Sequence, residues 1–202
     1  MGPYGSNILI TGATSGIGLA SLHLFAERGW QVWGVSRRGE IAESLPPNVH
    51  IYPLDIRDEV KVEQTIAAIE SEAKSLTGEG IGVILHCAGF GIAGAAEDTP
   101  LEMVYQQFET NFFGVLKVNR HLLPFMRERK ASLVITMGSV GGKISLPFQS
   151  HYSSTKFAIE AYSDALRMEG RAFGLRATVV EAGDTKTPFT AQRVAAIPEG
   201  SP

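Results

Sequence analysis

The sequence predicts an α/β fold: a doubly wound parallel sheet with helices on both faces. Two observations carry that prediction. Short apolar runs of strand length alternate with longer amphipathic stretches along the chain. That order requires parallel strands joined by helical crossovers. The first run also ends in a glycine-rich turn, Gly12-Ala13-Thr14-Ser15-Gly16-Ile17-Gly18, which opens directly into a helical segment. No repeat, low-complexity tract or linker divides the 202 residues, and 44% hydrophobic content suffices for one core. A single domain over residues 1–202 is expected, with residues 1–6 read as a disordered tail outside it.

The elements follow in order. Asn7-Ile8-Leu9-Ile10-Thr11 is a buried strand, and the amphipathic stretch from Leu19 to Arg28 is a helix stopped by Gly29. A strand, a glycine turn and a helix form a credible phosphate cradle, because glycines let the backbone approach a pyrophosphate and the helix start offers free N–H groups. Its candidate contacts are Gly12, Thr14, Ser15, Gly16, Ile17 and Gly18. Three residues separate the first two glycines and one precedes the third, unlike G-x-G-x-x-G. The turn also lacks the Lys-Ser/Thr of a nucleoside-triphosphate loop, which argues against ATP or GTP.

Gln31-Val32-Trp33-Gly34-Val35-Ser36 is the second strand. At its end a carboxylate would bind the ribose 2′-hydroxyl of NAD. The chain offers Ser36, Arg37 and Arg38 instead, with no carboxylate before Glu40. Guanidinium groups pair with a 2′-phosphate, so NADP(H) is expected in preference to NAD(H).

Val49 to Asp55 is a third strand that delivers Asp55, then Ile56, at its carboxyl end. Asp58 caps a helix from Glu59 to about Leu76, and residues 78–80 break it. Ile81 to His86 is the fourth strand, leaving through Cys87, Ala88 and Gly89 into a glycine-rich loop that ends at Gly94. A helical stretch from Leu101 continues to Arg129 with an interruption near Asn111 and Gly114. Ser132 to Met137 is the fifth strand, with Ser139 just beyond it, and Arg176 to Glu181 is the sixth.

Between the last two strands, Tyr152 and Lys156 stand four residues apart in a stretch with no Pro or Gly before Gly170. On a helix that spacing stacks both side chains on one face. A nearby ammonium favours the phenolate, so Lys156 is expected to lower the Tyr152 pKa and make it a usable acid or base. Ser139 can supply a hydroxyl to a substrate oxygen. The cradle, Arg37, Asp55, Gly89 and Ser139 all follow strand ends, so one edge of the sheet collects a phosphate site and an acid–base pair.

Net charge is −3, which provides no basic field for nucleic acid. The single cysteine, Cys87, excludes an intrachain disulfide, fits a reducing compartment and is read as an inert thiol. No apolar run reaches membrane-spanning length, and a cytoplasmic location is expected.

From about Asn7 to Thr187 the residues resemble the classical short-chain dehydrogenase/reductase family. Thr11-Gly12-x-x-x-Gly16-x-Gly18 is similar to its cofactor motif. Asn111, Ser139, Tyr152 and Lys156 match its catalytic set in identity and order. Gly138-Ser139-Val140-Gly141-Gly142, Leu146-Pro147-Phe148 and Phe157-Ala158-Ile159-Glu160 resemble the 17β-hydroxysteroid dehydrogenase type 1 and retinol dehydrogenase group. The resemblance implies a Rossmann-like fold in which Asp55 binds adenine, Lys156 holds the nicotinamide ribose and Thr187 contacts the carboxamide. It also implies that Asn111 holds a water relaying protons to Lys156. Cys87 departs from the family, replacing the asparagine of an Asn-Ala-Gly motif, and Ala182-Gly183 stands for Pro-Gly. The chain stops at Pro202, before the substrate-covering segment, last strand and last helix of the family, so part of the substrate pocket is expected to be missing.

The expected function is an NADP-dependent oxidoreductase interconverting a ketone or aldehyde and an alcohol. The alternatives are a cofactor-binding sensor or scaffold without turnover and a nucleotide-sugar epimerase or dehydratase. Phe90, Ile92, Val140, Ile144, Leu146, Phe148 and Phe189 are expected to line an apolar substrate pocket. A homodimer or homotetramer is expected, pairing through the helix around Asn111 and the Tyr152 helix with Phe157, Ala161, Ala165 and Leu166.

Overall fold

The first apolar run forms β1 (Asn7–Thr11), and the glycine turn leads from it into α1 (Gly16–Glu27). There follow β2 (Gln31–Ser36), β3 (Val49–Pro53), α2 (Glu59–Thr77), β4 (Val83–His86) and a two-residue β5 (Ile92–Ala93). The second half holds α3 (Leu101–Phe108), α4 (Gly114–Arg129), β6 (Ser132–Met137), α5 (Ser150–Gly170), β7 (Leu175–Val180) and β8 (Val194–Ala195). These elements come from a computed structural model that describes residues 2–42 and 44–196.

Six strands form one sheet in the order β3-β2-β1-β4-β6-β7, with every pairing parallel. The chain winds outward from β1 to β3, then returns to place β4 on the other side of β1. Ligands of such sheets bind at the carboxyl edge beside this reversal. The two short strands β5 and β8 pair with each other, an element that the sequence pattern did not suggest.

Local chemistry explains the helix limits. The Asp58 side chain accepts a hydrogen bond from the Lys61 N–H and starts α2, which stops at the left-handed Gly78. The interruption foreseen near Asn111 is a π turn, Glu109–Phe113, and no break occurs. There Gly114 N–H donates to the Glu109 carbonyl, so one extra residue is taken into the turn. The widened turn brings Asn111 inward, to 2% exposure.

The sheet separates two apolar clusters. On one face Leu9, Trp33, Ile84 and Val134 pack against Val62, Ile66 and Ile69 of α2 and Val118 and Leu122 of α4. On the other, Ile8, Ile10, Val32 and Leu85 pack against Leu22 and Ala26 of α1. Helices therefore lie on both faces, as expected. On the α1 face, however, Leu133, Ile135 and Met137 of β6 are only half-buried and Val180 of β7 is 45% exposed. Residues 2–6 do not form the loose tail expected of them. Tyr4 packs against the α1-side cluster, and its carbonyl accepts a hydrogen bond from Arg129 Nη2 at 3.2 Å. No helix among the described residues is long and apolar enough to cross a membrane.

Candidate active site

The glycine turn lies at the reversal point. Gly12 has φ +68, and a Cβ there would come within 2.7 Å of the Ala88 nitrogen, so only glycine lets the turn sit against the β4 exit. Gly16, at φ +53, begins α1. Ser15 precedes it in extended conformation and makes no side-chain cap, which leaves the first-turn N–H groups of Gly16, Ile17 and Gly18 to an anionic ligand. Thr187 lies over this helix start; a methyl placed on Gly16 would meet its Cβ at 3.5 Å. Thr11 Oγ1 accepts from Ala88 N–H at 3.3 Å and ties the turn to the next strand exit, beside Gly89.

The residues after β2 complete the edge. Arg38 Nη2 donates to both the carbonyl and the hydroxyl of Thr14 at 3.2 Å, so this arginine braces the turn. Ser36 Oγ accepts from Gly39 N–H, and Arg37 is exposed beside it. Asp55 ends the next strand, where Arg57 grips its carboxylate with a fork of 2.6 to 3.1 Å. That fork holds the Asp55 carboxyl below the usual range, with a smaller pull from Arg37. Ile56, expected as a cofactor contact, turns its side chain into the core against Gly114, so only its main chain can face the edge. The donor set fits a dinucleotide: a glycine turn against a helix start, with the exposed Arg37 at the end of β2.

The acid–base residues lie further along the same edge. Tyr152 and Lys156 are both buried on α5, one turn apart. Burial pushes the Tyr152 phenol up, while the Ser139 hydroxyl and the Arg193 guanidinium pull it down. Lys156 was expected to supply that pull. Its Nζ instead donates to the Met137 carbonyl at 2.7 Å and lies 5.7 Å from the centre of the Tyr152 ring. Burial lowers the Lys156 ammonium to about 8. Burial wins and the phenol stays above its ordinary value, with Ser139 and Arg193 opposing that rise. Ser139 Oγ also accepts from Gly141 N–H at 3.1 Å, which fixes the hydroxyl on the short helical turn Val140–Gly142.

The Asn111 side chain is held from both sides. Its amide donates to the Phe90 carbonyl at 2.9 Å and to Thr155 Oγ1 at 3.2 Å, and its oxygen accepts from Phe90 N–H at 3.0 Å. Both side-chain N–H bonds are spent in these contacts. It pins the loop after β4 to α5. Cys87 lies in that loop, where burial pushes its thiol up to about 12 despite the opposing Lys156 charge.

Two loops and the short β5–β8 pair wall the site. Gly94 N–H donates to the Phe148 carbonyl at 2.9 Å, and Val194 N–H donates to the Gly91 carbonyl at 3.0 Å. Phe189 packs against Tyr152 with ring centres 5.9 Å apart. Ile92, expected to line the pocket, is buried within β5 and does not face it. Ile144 and Phe148 are 63% and 69% exposed and form an open apolar rim. Leu166, expected at a dimer face, belongs to the core instead. Arg193 was missed altogether. It lies in no motif, and only its place beside β8 brings it to Tyr152.

Comparison with known proteins agrees with this construction. A family model described as short chain dehydrogenase matches residues 6–197. A 3-ketodihydrosphingosine reductase of Bacteroides thetaiotaomicron is 37% identical over 186 residues, covering 92% of this chain and 66% of that protein. The chain thus spans about two thirds of the length of the curated relatives it matches. A short-chain dehydrogenase structure from Streptomyces avermitilis superposes with TM-score 0.84 at 31% identity, covering 95% of this chain and 71% of its own. The closed form of a serine dehydrogenase complexed with NADP+ gives TM-score 0.85 at 27% identity, covering 93% and 76%. Matched by that family model over nearly its whole length, this chain belongs to the short-chain dehydrogenase family.

Proposed function

We propose that the protein is an NADP-dependent oxidoreductase that interconverts a ketone or aldehyde and an alcohol, with Tyr152 as general acid and base. One observation carries this reading: the buried Tyr152 phenol faces Ser139 on the same sheet edge as the glycine turn. When bound, NADPH supplies the hydride that reaches the carbonyl carbon. Tyr152 transfers its phenolic proton to the carbonyl oxygen as the C–O double bond becomes single. Ser139 donates a hydrogen bond to that oxygen, where negative charge develops. In oxidation the phenolate takes the proton back from the alcohol. Lys156, near the phenol and the end of β6, holds positive charge beside the ribose site. Asn111 positions the loop after β4, and Thr187 closes over the start of α1.

The cofactor edge would hold the dinucleotide through Gly12, Thr14, Ser15, Gly16, Ile17, Gly18, Ser36, Arg37, Ala88 and Gly89. Arg37 would select NADPH over NADH by pairing with the 2′-phosphate. Asp55 would reach the adenine only by sharing its carboxylate with Arg57. Val140, Ile144 and Phe148 would meet an apolar part of the substrate. Exposed Tyr105 and Phe113 on the α3–α4 helix, with Phe157 and Ala161 on α5, support a two-fold homodimer. Light scattering at micromolar concentration should then show twice the monomer mass.

The deciding experiment follows NADPH consumption across a panel of ketones and aldehydes, beside Tyr152→Phe. The variant keeps the ring and loses the proton donor. Turnover should fall by about 10²–10⁴ while NADPH still binds. Retention of most activity on a competent substrate would remove Tyr152 as the acid.

A further inference from the structure

Arg193 lies close enough to the Tyr152 phenol to pull its pKa down, yet the catalytic assignment gives it no substrate contact. Its Nε is buried and has no hydrogen-bond partner among the described residues. No carboxylate among those residues forms an ion pair with its guanidinium. The side chain lies beside the loop after β4: a methyl placed on Gly91 would be 3.6 Å from Nε and 3.4 Å from the Phe189 ring. Phe189 in turn touches Tyr152. The β5–β8 pairing holds the backbone on either side of this contact, through Val194 N–H to Gly91 and Ala196 N–H to Ala93 at 2.8 Å. A guanidinium is thus held near the proton donor, beside the loop after β4.

A buried N–H without an acceptor is unfavourable unless a ligand satisfies it, and a guanidinium fork matches a carboxylate in shape and charge. We infer that Arg193 anchors an anionic group of the substrate, a carboxylate a few bonds from the reacting carbonyl, while the rim takes an apolar tail. The substrate class is then an amphiphilic oxo acid or hydroxy acid. This rests on the oxidoreductase reading for the word substrate, but the anion site itself does not depend on turnover. The positive charge that eases ionisation of the Tyr152 phenol is consistent with the same placement.

The test uses unreactive probes and the NADP+-loaded protein. Hexanoate and its neutral counterpart hexanamide are titrated by calorimetry or ligand-observed NMR. Hexanoate should bind at least tenfold more tightly, and Arg193→Gln should erase that difference. Arg193→Lys, which keeps the charge but not the fork, should retain part of it; thermal melting of both variants checks that the β5–β8 pair persists. Equal binding of the two probes by the unmodified protein would overturn the inference. So would a preference for hexanoate that survives in a folded Arg193→Gln. In parallel, 3-oxohexanoate and its methyl ester are offered with NADPH. A preference for the acid, carried in KM and lost in Arg193→Gln, supports the anchor. Equal turnover of acid and ester would overturn the anchor while leaving the oxidoreductase reading intact. Selective hexanoate binding with no turnover of either compound would support the anchor and count against the oxidoreductase reading.

Discussion

The nucleotide half of the sheet and its catalytic half are made from similar residues, yet they are covered differently. β1 is buried at every position, between α1 on one side and α2 and α4 on the other. Along β6 buried positions alternate with half-buried ones, and along β7 Leu175 and Ala177 are buried while Arg176, Thr178 and Val180 are exposed. The glycine turn and its contacts hang from the closed half. Ser139, Phe189 and Arg193 belong to the open half and are held by loop hydrogen bonds and two-residue strands, beside Tyr152 buried on α5. Cofactor geometry is therefore fixed by the core, whereas substrate geometry depends on a few loops.

Lys156 tests where the two halves meet, and its loss should have the largest effect. Lys156→Met keeps the stem, so packing survives while the charge beside the proposed ribose site disappears; turnover should drop at least 10²-fold and NADPH should bind more weakly. Stability should change in the opposite sense. Burial depresses this ammonium from 10.5 to about 8, so between those values the unfolded chain holds a proton that the folded one has released. Stability of the unmodified protein should rise with pH across that window, by roughly 3 kcal/mol at most. The full cost of burying the charge applies below it. Denaturant titrations at several pH values should show this slope in the unmodified protein and not in Lys156→Met.

Paired core substitutions sharpen the contrast directly. Ile10 and Ile135 face the same side of the sheet, one beneath α1 and one beyond its reach. Ile10→Ala should cost about 3–4 kcal/mol and Ile135→Ala about 1–2, because a half-exposed side chain loses less burial and leaves no closed cavity. Equal costs by urea denaturation would mean that both halves are equally closed in solution.

Arg37→Asp probes the closed half without touching its packing. A charge-assisted contact is worth about 1.5–3 kcal/mol, so NADPH should bind the unmodified protein ten to more than a hundred times more tightly than NADH. The variant should lose or reverse that ratio in a fluorescence titration. Equal affinities in the unmodified protein would withdraw the preference.

The smallest effect is expected in the open rim. Phe148 holds φ +60, a conformation that costs a side chain about 1 kcal/mol or more. Phe148→Gly should relieve that strain and raise the melting temperature by a few degrees, while increasing KM for apolar carbonyls. A lower melting temperature would show that the exposed ring packs in solution.

Much of the fold was legible because its signals are local. Strand-length runs, the Asp58 cap and the Gly78 stop act over a few residues, and β2 and β6 fall where the pattern places them. The glycine turn was legible for the same reason, since one backbone conformation dictates its residues. Tyr152, Lys156 and Ser139 were found by spacing and resemblance, which say which residues meet but not how each is held. Only the tertiary structure decided that Lys156 bonds to Met137, that Asn111 clamps Phe90, and that Arg57 occupies Asp55. It alone placed Arg193 beside the phenol, through a pairing of residues 92–93 with 194–195. Hydrogen-bond partners and pKa values depend on burial and distance between segments far apart in the chain, and no short-range pattern encodes those.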